Sequence, residues 1–118
     1  MILPPTATVR QAIERMQANR NGSVTVVDGA GHLVGILTEM DVLRRLDLEA
    51  DPSRLGAPLS QVMTATPRTL PQEANLAQVM HLMAIGGFRH VPIVDEQRML
   101  LGVVSFLDVL AYIHGRPS

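Results

Sequence analysis

Residues 24–43 read VTVVDGAGHLVGILTEMDVL, and residues 91–110 read VPIVDEQRMLLGVVSFLDVL. Each stretch runs from an apolar segment into a polar turn opened by aspartate, Asp28 or Asp95, then into a second apolar segment. Each closes on a hydroxyl residue followed three positions later by aspartate: Thr38 and Asp41, then Ser105 and Asp108. Working outward, a shift of 67 positions lays residues 2–43 on residues 69–110 without a gap, with thirteen of those 42 positions identical. Chance would give roughly two or three matches in so apolar a composition, so the chain carries an internal repeat.

The periodicity assigns elements to each repeat. Val9, Ala12, Ile13 and Met16, like Leu76, Val79, Met80 and Met83, recur at i, i+3, i+4 and i+7, which predicts an amphipathic helix opening each repeat. Thr8 with Gln11, and Asn75 with Gln78, have capping-box spacing. Glycine, which accepts helix-ending backbone angles, predicts stops near residues 19–22 and 86–87. The paired apolar runs, 24–27 and 33–37 in the first copy, predict a hairpin. Its glycines lack the spacing and the strand-to-helix context of a dinucleotide loop. A second helix follows Thr38 or Ser105, with Leu43 and Leu46, or Val109, Leu110 and Ile113, expected on its buried side. A short extended segment, such as residues 67–70, precedes each unit. One such unit leaves its sheet half covered, so the expected fold class is α+β: two pseudo-twofold repeats, each a small sheet against two helices. The boundaries read as residues 1–48 for repeat 1, 49–62 for a linker marked by Pro52, Gly56 and Pro58, and 63–118 for repeat 2.

At 118 residues the chain is long enough for a core and too short for two unrelated domains. No apolar run approaches the roughly 18 residues of a membrane span, and no leader pattern opens the chain. A soluble, cytoplasmic protein without a membrane partner is expected. The absence of cysteine excludes disulfides and thiolate chemistry, and a net charge of -1 without a basic block offers nothing to nucleic acid. His32, His81, His90 and His114 show no metal-ligand spacing. His32 is expected in an exposed turn and His81 on a polar helix face. No nucleophile elbow, phosphate loop or acid–base constellation is present, so neither a catalytic nor a metal site is expected.

The order of "MT" at residues 63–64 with "PRTL" at 67–70, "RHVPIVD" at 89–95 and "LLGVVSFLD" at 100–108 resembles a cystathionine β-synthase (CBS) domain. "VTVVD" and "LVGILTEMD" in the first copy resemble a second, and together they resemble a tandem CBS pair, or Bateman module. On the residues alone, hydroxyl-x-x-Asp is a helix N-cap with an acid in the first turn, and this is the commoner meaning. A carboxylate at a helix start can also accept both hydroxyls of a ribose, beside amides that suit a phosphate. Both meanings can hold together.

The resemblance implies an adenine nucleotide, AMP, ADP or ATP, as regulatory ligand in the cleft between repeats, with no cofactor required. It places Asp41 on the ribose, Thr38 near the phosphate, and Ile36 and Met40 as walls. Repeat 2 would add Thr66, Pro67 and Arg68 from its first strand and Phe88, Arg89 and His90 from the loop before its hairpin. On residue type alone, Phe88 is equally a core residue, Arg89 a solvated arginine and His90 a half-buried, hydrogen-bonded histidine. A weaker second site would comprise Ser105, Asp108, Val103 and Leu107 with Asn21, Gly22 and Ser23. The counterparts of Thr66 and Pro67 are missing there because the sequence begins at the counterpart of Arg68, as expected of a trimmed or degenerate copy.

The expected function is a non-catalytic nucleotide-sensing module that signals to an attached effector domain or partner protein. The competing reading is a ligand-free structural module for dimerisation, favoured by the incomplete first strand and by Glu39, an acid beside the expected phosphate position. The apolar helix faces predict a homodimer.

Overall fold

The computed structural model describes residues 2–116. The chain forms two compact units, residues 1–67 and 68–118.

The first unit starts with strand β1 (Ile2–Leu3) and helix α1 (Val9–Asn19). Thr8 caps α1 in a full capping box: its Oγ1 accepts the Gln11 amide at 3.2 Å while Gln11 Oε1 accepts the Thr8 amide at 2.8 Å. The left-handed angle that ends α1 falls on Arg20, φ 49°, and not on a glycine. Gly22 serves another purpose: a Cβ there would overlap the Glu39 carboxylate. Strands β2 (Ser23–Val27) and β3 (Leu33–Thr38), rich in β-branched and aliphatic residues, form an antiparallel hairpin. Asp28 Oδ1 closes its turn by accepting the Ala30 and His32 amides, both at 2.9 Å. The His32 amide is the main reason that the Asp28 carboxyl is held below its ordinary pKa. His32 sits in this turn with its side chain 43% exposed and Nδ1 3.3 Å from Asp28 Oδ2.

Helix α2 (Glu39–Arg44) has only six residues. Leu43, expected on its buried side, is 75% exposed, while Leu46 beyond its end is buried, because the helix stops before its apolar periodicity completes a second turn.

Residues 49–62, expected as a linker, are ordered. They hold a 3-10 turn (Pro52–Gly56) and helix α3 (Leu59–Val62), and Leu59 is fully buried in the core with Leu3, Ala7, Val9, Ala12 and Leu37. The Leu59 amide donates to Ala7 O at 2.7 Å. Strand β4 (Thr64–Ala65) then pairs antiparallel with β3, giving sheet order β1-β2-β3-β4. Residues 63–67 therefore count with the second repeat in sequence but pack in the first unit. Gly35 permits this approach, since a Cβ there would overlap the Met63 side chain.

The second unit contains β5 (Leu70–Pro71), α4 (Leu76–Gly86), β6 (His90–Val94), β7 (Leu100–Ser105) and α5 (Phe106–His114), with sheet order β5-β6-β7. Its opening helix and strand registers reproduce those of the first unit at the shift of 67. Leu70 pairs with Ile93 as Leu3 pairs with Val26, and the irregularity at Ile93/Val94 repeats that at Val26/Val27. Asn75 and Gln78 form the expected capping box, and Gly87 supplies the left-handed end of α4. His81 is exposed on α4 as expected. In α5 only Val109 is buried. Leu110 and Ile113 are exposed instead of facing the core, since three strands cover only a narrow strip of the helix.

Candidate functional site

The hydroxyl-x-x-Asp segments fold identically. Thr38 Oγ1 accepts the Asp41 amide at 3.3 Å, and Asp41 Oδ2 accepts the Thr38 amide at 2.9 Å. Ser105 and Asp108 repeat this at 3.1 and 2.7 Å. Both aspartates are therefore the third residues of capping boxes, and each carboxylate has one oxygen committed to the amide of its N-cap residue. The second oxygens differ. Asp108 Oδ1 has no partner among the described residues, whereas Asp41 Oδ1 lies 3.0 Å from Arg45 Nε. Arg45 escaped the sequence reading, although its i,i+4 spacing after Asp41 was visible there.

The loops before the hairpins differ in charge. In each, the helix-opening amide donates to the loop carbonyl: Glu39 to Gly22 O at 2.8 Å, and Phe106 to Arg89 O at 2.7 Å. In the first unit the Glu39 carboxylate lies against Gly22. In the second, the Arg89 guanidinium stacks 5.1 Å above the Phe106 ring. The same two positions hold an acid in one repeat and a cation in the other.

The first unit contains Asn21, Gly22, Ser23, Ile36, Thr38, Met40, Asp41, Thr66 and Pro67. Ile36 is buried on β3 opposite Thr64, and Met40 is half-buried. Thr66 takes φ 46°, a left-handed angle that is uncommon for a β-branched residue, with its amide donating to Val34 O at 3.3 Å. Such strain, of order 1–3 kcal/mol, concentrates at binding sites. The second unit contains Arg68, Phe88, Arg89, His90, Val103, Ser105, Leu107 and Asp108. There His90 pairs with Ser105 across the hairpin, bringing the loop and the cap together. Phe88 lies over Gly86, where a Cβ would overlap its ring, and Leu107 is exposed. A cavity of about 440 Å³ bounded by Pro71, Glu73, Asp95, Arg98 and Leu101 includes none of these residues. Among the described residues no cluster of His, Asp or Glu could hold a metal ion, and no helix is long and apolar enough to cross a membrane.

The CBS domain family model matches residues 1–48 and 59–115. The chain belongs to the CBS domain family. The two matched segments make it a tandem CBS pair, as the repeat implied. It is 28% identical to an uncharacterised 17.7 kDa protein of Acidianus ambivalens, over 99% of this chain and 73% of that protein. It is 29% identical to the CBS domain-containing protein CBSCBSPB1 of Arabidopsis thaliana, spanning 92% of this chain but 19% of that protein. Among solved structures, the CBS-domain containing protein ATU1752 from Agrobacterium tumefaciens superposes with a TM-score of 0.85 at 27% identity, covering 96% of this CBS pair and 88% of that chain. CBSX2, solved in complex with AMP, shares the fold at a TM-score of 0.84 and 24% identity, covering 97% and 87% of the two chains. So does the CBS pair of MJ0100, solved with 5′-methylthioadenosine and S-adenosylmethionine, at 0.85 and 21%, covering 99% and 90%.

Proposed function

We propose that this CBS pair is a non-catalytic regulatory module that binds an adenine nucleotide and passes its occupancy to an attached domain or partner. One observation carries the reading: both repeats hold an aspartate in a capping box, so that one carboxylate oxygen is fixed on the backbone, while the other has no partner among the described residues in Asp108 and meets the half-exposed Arg45 in Asp41. A carboxylate so oriented is a ready acceptor for a ribose diol, and such preorganisation lowers the cost of binding. The adenosine ligands of CBSX2 and MJ0100 support the same class, although those two proteins resemble this one in fold alone. In this reading the nucleotide uses Asp41, Thr38, Ile36 and Met40, the strained Thr66 with Pro67, and Arg68, Phe88, Arg89 and His90. The guanidinium of Arg89 suits phosphate, and the Glu39 carboxylate at Gly22 repels it. Ser105, Asp108, Val103, Leu107, Asn21, Gly22 and Ser23 therefore make the weaker set.

Calorimetric titration with AMP, ADP, ATP, S-adenosylmethionine and NAD tests this. Saturable heat is expected for at least one ligand. Removing a charged acceptor costs roughly 1.5–3 kcal/mol, so Asp41→Ala should lose about ten- to a hundredfold in affinity and Asp108→Ala much less. The apo melting temperature of each variant separates loss of the cap from loss of binding. Flat traces for the whole panel at millimolar concentration would leave the structural module, and a reversed order of the two variants would exchange the two sites.

Assembly belongs to the same proposal. Met80, Ile85, Leu107, Leu110, Tyr112 and Ile113 leave α4 and α5 with exposed apolar surface, which a second copy of the chain can cover by twofold symmetry. Sedimentation at micromolar concentration should give twice the 12.8 kDa chain mass, and the single-chain mass throughout would refute the dimer. We place the module in the cytoplasm.

A further inference from the structure

Asp41 is held on both oxygens. Its Oδ2 accepts the Thr38 amide and hydroxyl, at 2.9 and 3.2 Å, and its Oδ1 accepts Arg45 Nε at 3.0 Å. The same guanidinium donates from Nη2 to Val62 O at 2.7 Å. Arg45 thus bridges the carboxylate of α2 to the end of α3, just ahead of β4 and the left-handed Thr66. The second repeat lacks this device, since Tyr112 stands where the first has Arg45 and Asp108 Oδ1 has no described partner.

Three of the roughly four acceptor sites of the Asp41 carboxylate are taken, so a ribose diol, which needs two, must open one of these attachments. Displacing Oδ2 would uncap α2. Displacing Oδ1 breaks an ion pair whose arginine side chain is 48% exposed, the kind of contact that water and salt already weaken. The second route costs less. Resting on the reading that Asp41 accepts the ligand ribose, we propose that Arg45 is an internal competitor for that carboxylate, a latch that lowers nucleotide affinity in the first repeat. Ligand entry at Oδ1 releases Arg45 from Asp41 and weakens its hold on Val62 O. Occupancy is thereby reported to residues 62–67, which lead into the second unit. Arg45 acts through Asp41 and is a positioning residue.

The test uses the full chain, with AMP and uncharged adenosine as probes, titrated into the wild type and Arg45→Ala at low and high salt. A half-exposed i,i+4 pair of this kind corresponds to about a twofold effect, so Arg45→Ala should bind both probes tighter by about that factor. In the wild type, adenosine affinity should rise with ionic strength as the latch is screened, and in Arg45→Ala it should not. The salt series on the unmutated chain stands even where the substitution impairs folding. Equal or weaker binding by Arg45→Ala, with adenosine binding to the wild type insensitive to salt, would overturn the latch and leave nucleotide sensing in place. Failure of both proteins to bind either probe would remove the ribose role of Asp41, and the latch with it.

Discussion

Leu59→Ala is expected to lower stability by about 2–5 kcal/mol, the usual range for removing a fully buried leucine side chain, and the melting temperature by roughly 8–20 °C for a chain of this length. The cause is the position of Leu59. It is completely buried among residues from β1, α1, β2 and β3, and its amide is tied to Ala7 O. Truncation leaves a void that the surrounding strands cannot close, because their register is fixed by the hairpin. Leu43→Ala provides the contrast: at 75% exposure it should stay within about 0.5 kcal/mol of the wild type. Chemical or thermal denaturation of the two variants side by side decides the matter. Equal, small effects would mean that residues 49–62 are the plain linker their composition indicated.

Nucleotide binding should raise stability by roughly 2.7 kcal/mol at a ligand concentration about 100 times its dissociation constant, which corresponds to a melting shift of about 10 °C. The effect would follow from linkage: a folded carboxylate held by its cap would accept the ribose, whereas the same aspartate in an unfolded chain has no such orientation. The shift should follow the logarithm of ligand concentration and shrink sharply in Asp41→Ala. A thermal-shift series with AMP, ADP, ATP, S-adenosylmethionine and NAD measures it. Unchanged melting across the series would count against sensing and for a module whose work is dimerisation.

Helices α1 and α4 were legible because a capping box and a 3.6-residue period are local, and both caps form as written. The hairpins were legible because alternating aliphatic and β-branched runs around an aspartate turn leave few other structures open. The repeat fixed their equivalence, and strand registers reproduce it. The paired caps were equally plain.

Other features depend on what lies far away in sequence. Proline and glycine mark residues 49–62 as a loop, yet Leu59 enters the core because α1 and the first hairpin leave a space of its size. Strand β4 has only two residues and no periodicity, and its partner β3 is supplied by the other repeat. Leu43, Leu110 and Ile113 carry helical spacing, but burial requires an opposing surface, and the short α2 and three-stranded second sheet provide none there. The sequence by itself determined two copies of one α+β unit and their caps. Tertiary structure decided which side chains near the caps are engaged: Glu39 lies against Gly22, Arg89 on Phe106, and Arg45 between Asp41 and Val62. A side chain's partner is set by where the folded backbone brings it, and spacing along the chain records only its local neighbours.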